Sequence, residues 1–165
     1  MNWNLCRGPE ASGSLGSDST ARLWLLETLE TTRSLGQKLA LALPQNAILL
    51  LQGPLGAGKT SLVQGIAQAC GIKEPITSPT FALAQHYPQG QPPLVHLDLY
   101  RLEAPRAADE LFMQEEEEAR DLGALMAVEW PERLGMALHE AWQLELSHAG
   151  DGRRAQLTPP RKRST

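Results

Sequence analysis

The chain has 165 residues, 42% of them hydrophobic, which is enough for one core and excludes two ordinary domains. No apolar run nears the ~18 residues of a membrane span, and the first twenty residues lack the basic start and apolar stretch of a secretory signal. The formal charge is −4, but the last thirteen residues hold five basic and no acidic side chains, so residues 1–152 carry −9, a poor match for a nucleic-acid groove. Cys6 and Cys70 have neither disulfide nor zinc spacing. A cytoplasmic protein with no membrane role is expected, touching RNA only through its tail or through partners.

Residues 1–20, rich in Gly, Ser and Asn, read as a flexible extension, residues 21–157 as one domain and residues 158–165 as a basic, disordered tail. "RLWLL" (22–26) suits a strand. Thr28 can then cap a helix that places Leu29, Thr32, Leu35, Gly36, Leu39 and Leu43 on one inward face. "AILLLQ" (47–52) is a strand buried on both sides, and "SLVQGIAQACG" (61–71) is a helix that Gly71 ends in the left-handed conformation. "TSPTFALAQHY" and "LVHLDLYRL" lie at hairpin distance, and the second alternates Val95, Leu97 and Leu99 with a polar face of His96, Asp98 and Tyr100. "APRAADELFMQEEEEARD" predicts one or two acidic helices with "EEEE" (115–118) as a solvated face. "ALMAVEW" (124–130) is another buried strand, "PERLGMALHEA" a helix, and "WQLELSH", "AGDG" and "RRAQLT" a hairpin. The alternation predicts a three-layer α/β fold of the P-loop NTPase type, around a mainly parallel sheet with added antiparallel strands.

"GPLGAGKT" (53–60) meets the G-x-x-x-x-G-K-[ST] pattern between a buried strand and a helix. Glycines let backbone N–H groups wrap around phosphate oxygens, and the helix start adds partial positive charge. Lys59 is expected to reach the β and γ phosphates of a nucleoside triphosphate and Thr60 to put its hydroxyl on Mg²⁺. Such a loop needs an acidic partner at a neighbouring strand end. Asp98 and Glu129 both qualify, and residue order does not choose between them. The D-x-x-G and N-K-x-D motifs of switch GTPases and the L-S-G-G of ABC ATPases are absent. Arg101, Arg106 and Arg120 leave room for the lid of a small-molecule kinase. The four histidines show no metal spacing, and none is assigned a ligand role.

Taken in order and spacing, "GPLGAGKT", "SPTFAL", "HLDLYRL", "VEWPERL" and "GRRA" resemble the TsaE (YjeE) family, ATPases needed for threonylcarbamoyladenosine beside the anticodon of tRNAs that read codons beginning with A. The resemblance runs from about residue 22 to 157. It implies that Leu55, Gly56, Ala57, Gly58, Lys59, Thr60 and the adjoining Ser61 bind the ATP phosphates, with Thr60 and Glu129 as magnesium ligands. It implies a catalytic set of Lys59, Asp98 and Glu129, in which Asp98 positions water or stabilises the active loop. Ser78, Pro79 and Thr80 resemble a switch-like segment facing the γ-phosphate. The helix start from Leu29 to Thr32, and Gly152 with Arg153, match places that hold base and sugar, and Trp130 matches a tryptophan that matters for activity. Pro54 departs from the family, where an acidic residue is common, but it precedes the phosphate-binding amides.

The resemblance also implies partners: TsaD, which carries the transfer chemistry, and TsaB, with TsaC making the threonylcarbamoyl-adenylate beforehand. The expected role is a Mg²⁺-dependent ATPase, slow alone and faster with partners, whose ATP cycle assembles and resets the complex, with tRNA met only through it. The alternatives are a small-molecule kinase of the P-loop class and a module that binds ATP without hydrolysing it.

Overall fold

The computed structural model describes residues 20–77 and 83–161. Along the chain come β1 (Arg22–Leu26), α1 (Leu29–Ala42), β2 (Ile48–Gln52), α2 (Lys59–Ala69), β3 (Ala84–Tyr87) and β4 (Leu94–Asp98). Then follow α3 (Pro105–Leu122), β5 (Leu125–Glu129), a 3-10 turn (Pro131–Arg133), β6 (Trp142–Ala149) and β7 (Gly152–Thr158). Nearly all of the extension expected over residues 1–20, the segment Ser78, Pro79 and Thr80, and the end of the tail lie outside the described residues.

The strands form one sheet in the order β1-β7-β6-β2-β5-β4-β3. β6, β2, β5 and β4 run parallel, while β1, β7 and β3 add antiparallel pairings at the two sides. This is the expected mainly parallel α/β sheet with antiparallel additions. β2 sits inside it and buries both faces: Leu49 and Leu51 pack with Leu35, Leu39, Leu62 and Ile66 of α1 and α2, and Leu50 packs with Phe112 and Ala119 of α3. A strand covered on both sides has no place for polar alternation, which is why its sequence is an unbroken apolar run. Truncating Leu49 to Ala there costs about 2–5 kcal/mol.

Thr28 caps α1 as expected. Its hydroxyl accepts from the Thr31 N–H at 3.1 Å while the Thr31 hydroxyl accepts from the Thr28 N–H at 3.0 Å. Thr32, Leu35, Gly36, Leu39 and Ala40 form the buried face, but Leu29 is 53% exposed and Leu43 is the C-cap residue. The stripe therefore begins one turn later than its spacing suggests, at Thr32. α1 lies against α2 with backbone touching backbone: a Cβ on Gly36 would stand 2.2 Å from the Leu62 carbonyl oxygen, and one on Gly65 2.0 Å from that of Arg33.

On the α3 side one expectation is narrowed and two need correction. The acidic stretch is one 18-residue helix with Pro105 in its first turn and Gly123 (φ +67°) closing it. "EEEE" is not wholly a solvated face: Glu115 is buried and paired with Nε2 of His86 on β3, whose Nδ1 lies 3.8 Å from Glu118. "PERLGMALHEA" forms only the 3-10 turn. Asp109 on α3 accepts hydrogen bonds from the Gly135 and Met136 N–H groups at 2.9 and 3.3 Å, so those donors are satisfied without a helix. The β4 expectation is sharpened as well. Of its "polar" face, His96 and Asp98 are buried, while Tyr100, past the end of the strand, is 39% exposed.

Candidate nucleotide site

The carboxyl ends of β2, β4 and β5 meet at the loop between β2 and α2, where ligands bind in open parallel sheets. Three glycines bend that loop: Gly53 (φ +149°), Gly56 (φ +77°) and Gly58 (φ +102°), the last being the N-cap of α2. A side chain at Gly53 would also strike the Leu146 carbonyl, with its Cβ only 2.4 Å from that oxygen. The result is a curl of backbone ending at a helix N-terminus, a geometry that concentrates N–H donors on an anion.

Neighbouring elements hold the curl in place. Arg153, from β7, donates through one terminal nitrogen to the Gly56 carbonyl at 3.0 Å and through the other to its neighbour Gly152 at 3.1 Å. Thr32 is fully buried, with its methyl carbon 3.4 Å from where a Cβ on Gly58 would stand. Of the residues assigned to the nucleotide, Leu55 is 66% exposed on the loop, Ala57 is fully buried beneath it, and Ser61 lies half-buried in the first turn of α2. Leu29 projects into solvent at the start of α1. Thr32 and Arg153 thus touch the loop itself.

Lys59 is buried. Its ammonium donates to the Gly53 carbonyl and more weakly to that of Pro54 at 3.5 Å, and it lies 3.7 Å from the centroid of the Trp130 ring. Burial pulls its pKa below that of a free lysine, opposed by Glu129 first and then by Glu132 and Asp98. Trp130 follows β5 with φ +59° and ψ +50°, a conformation that non-glycine residues rarely adopt. Its ring meets that of Tyr100 at 4.8 Å between centroids, and the Arg133 guanidinium lies 5.6 Å from the Tyr100 ring.

The two acidic candidates occupy adjacent positions, Asp98 beside Glu129 in the β4–β5 register, and they face different partners. The Thr60 hydroxyl donates to Oε1 of Glu129 at 3.4 Å, and Nε2 of His96 lies 2.6 Å from its Oε2. Oδ1 of Asp98 accepts from the Tyr100 N–H at 3.0 Å. His96 is a site residue that motif reading passed over. The available signal was its place two residues before Asp98, on the same face of β4.

Of the three arginines set aside for a kinase lid, Arg106 pairs with Glu110 at 3.1 Å and Arg120 with Glu116 at 2.7 Å along α3 itself.

The family model described as "Threonylcarbamoyl adenosine biosynthesis protein TsaE" matches residues 26–156. The chain belongs to the TsaE family. A tRNA threonylcarbamoyladenosine biosynthesis protein TsaE from Nostoc sp. is 39% identical over 144 residues, covering 86% of this chain and 88% of its own. The TsaE protein of Synechocystis sp. is 47% identical over 112 residues, 67% of this chain and 71% of its own, and that of Bacillus subtilis 31% over 140, covering 79% and 80%. The crystal structure of YdiB from Bacillus subtilis superposes with a TM-score of 0.65 at 26% identity, covering 85% of this chain and 86% of that one. TsaE membership, and with it a place in tRNA threonylcarbamoyladenosine biosynthesis, joins the P-loop fold already described. Among the described residues no helix is long and apolar enough to cross a membrane.

Proposed function

We propose that this chain is a cytoplasmic Mg²⁺-dependent ATPase that works with TsaD and TsaB, ATP binding docking it onto them and hydrolysis releasing it for the next turnover. The observation that carries the reading is the Thr60–Glu129 contact at 3.4 Å, beside a loop curled by three positive-φ glycines. A hydroxyl and a carboxylate are hard oxygen donors, few in number, and they fit an ion that keeps most of its ligands from water and phosphate. Thr60 and Glu129 are therefore the residues that hold Mg²⁺, which when bound with ATP neutralises phosphate charge.

The chain's own groups take the remaining roles. Loop N–H groups from Leu55 to Ser61 cradle the phosphates, and Arg153 keeps Gly56 in position to do so. Lys59 leaves the carbonyls of Gly53 and Pro54 to meet the terminal phosphates. Asp98, beside Glu129 in the register, orients the attacking water. Trp130 and Tyr100 wall the cleft. Leu29 and Thr32 flank base and sugar, and Ser78, Pro79 and Thr80 answer to the γ-phosphate. TsaC acts upstream, and tRNA is met only in the assembled complex.

The test is hydrolysis by the purified chain with and without TsaD and TsaB. Slow turnover alone and stimulation by the pair is the expected result. Full turnover alone, with no binding or response to the pair, sinks the reading. In cells, depletion should remove threonylcarbamoyladenosine from bulk tRNA.

A further inference from the structure

We propose that His96 is a positioning residue that holds one oxygen of Glu129 and leaves the other as the single carboxylate oxygen offered to the metal, so favouring Mg²⁺ over Ca²⁺. The inference rests on the reading of Thr60 and Glu129 as the metal-holding pair.

His96 has no solvent exposure, and Glu129 is 2% exposed. By strand alternation His96 shares its face with Leu94, which packs in the core beneath α1 and α2, and with Asp98 at the cleft. Its Nε2 lies 2.6 Å from Oε2 of Glu129. A carboxylate oxygen accepts only, so the ring proton belongs on Nε2. Nδ1 is buried and without a hydrogen-bond partner among the described residues. A buried polar atom without a partner carries a cost that an apolar residue of the same shape would avoid. The ring is therefore placed for what its other end does.

What that end does follows from the two oxygens. Oε2 is engaged by His96, and Oε1 faces the Thr60 hydroxyl at 3.4 Å. Glu129 cannot turn to offer both oxygens equally without breaking a buried hydrogen bond. Ca²⁺ accepts bidentate carboxylates and seven or eight ligands, whereas Mg²⁺ demands six in a tight octahedron. A carboxylate pinned to one free oxygen suits the smaller ion. Partners that orient metal ligands in this way are worth about 10–100-fold in metal affinity.

The experiment titrates a fluorescent ADP analogue into the full chain in EDTA, in Mg²⁺ and in Ca²⁺, for the wild type and for His96→Phe, His96→Asn and His96→Gln. Phe fills the space without a donor, Asn is too short to reach Glu129, and Gln brings an amide N–H to the place of Nε2. For Phe and Asn the metal-free affinity should stay within about 2-fold, since the loop is untouched. The tightening by Mg²⁺ should fall about 10-fold or more, with the preference over Ca²⁺ reduced. Gln should restore both. The proposal is overturned if Phe and Asn weaken binding equally in EDTA and in Mg²⁺, if they leave the Mg²⁺ effect unchanged, or if Gln behaves like Phe. Should Phe fail to fold, the Asn and Gln pair decides alone. A wild type whose nucleotide binding ignores Mg²⁺ defeats the underlying reading and this proposal together; a metal-responsive wild type with indifferent variants defeats this proposal only.

Discussion

The ammonium of Lys59 rests 3.7 Å from the centre of the Trp130 ring while donating to the Gly53 carbonyl. A cation over an indole face is worth about 0.5–2 kcal/mol, depending on how far it is desolvated. Nucleotide binding must draw Lys59 off that ring, which makes Trp130 a reporter. Addition of Mg-ATP should change the intrinsic fluorescence of the wild type, and Trp130→Phe should abolish the change although three tryptophans remain. A change of the same size in Trp130→Phe would show that another tryptophan gives the signal and that Trp130 does not report on Lys59.

Asp98→Asn should separate catalysis from binding. The Asn side-chain oxygen can still accept from the Tyr100 N–H, so the turn after β4 survives and stability should shift by less than about 1 kcal/mol. Hydrolysis in the presence of partners should fall about 100-fold or more, as for loss of a group that handles the reacting water. Mg²⁺-dependent nucleotide affinity should be almost unchanged. Equal loss of affinity and turnover would move Asp98 from the water to the metal.

Arg153→Gln removes the charged donor from the Gly56 carbonyl. One partly exposed hydrogen bond contributes about 1 kcal/mol, so nucleotide affinity should fall about 5-fold. Isothermal titration with ADP measures it. Unchanged affinity would confine Arg153 to holding β7.

Gly36→Ala and Gly65→Ala should each destabilise the fold by about 3 kcal/mol. An added methyl at either site meets a carbonyl oxygen at near 2 Å, and two packed backbones have little room to part. In an exposed helix the same change raises stability by about 0.5–1 kcal/mol, so urea unfolding gives opposite signs for the two readings.

Cys70 is buried, and burial pushes its thiol pKa upward. In Cys6→Ser protein, a disulfide reagent should therefore leave native Cys70 almost untouched at pH 7–8 and modify it fully in denaturant, since the attacking species is the thiolate.

β2, the glycine loop and α2 were legible because they are contiguous: an apolar run, three glycines and an inward stripe, each set by neighbours a few residues away. What stayed hidden depends on distant partners. Glu115 looked solvated within "EEEE" because His86 lies 29 positions earlier. His96 looked like one more polar residue until β4 and β5 paired and set it against Glu129. Residues 134–141 carry helical spacing, but Asp109, on another element, takes the N–H groups of Gly135 and Met136. Leu29 carries the right spacing, yet no neighbouring element among the described residues covers it and it is exposed. Between Asp98 and Glu129, order along the chain could not choose; the fold sets them side by side in the β4–β5 register, with the Thr60 hydroxyl against Glu129 and the Tyr100 N–H against Asp98.

The contact of α1 with α2 at Gly36 and Gly65 also constrains how the molecule can move. Two helices whose main chains touch at two points can neither slide nor roll across one another without collision, so the floor under the phosphates is stiff. Any change of shape at the loop must therefore be carried by elements other than this helix pair.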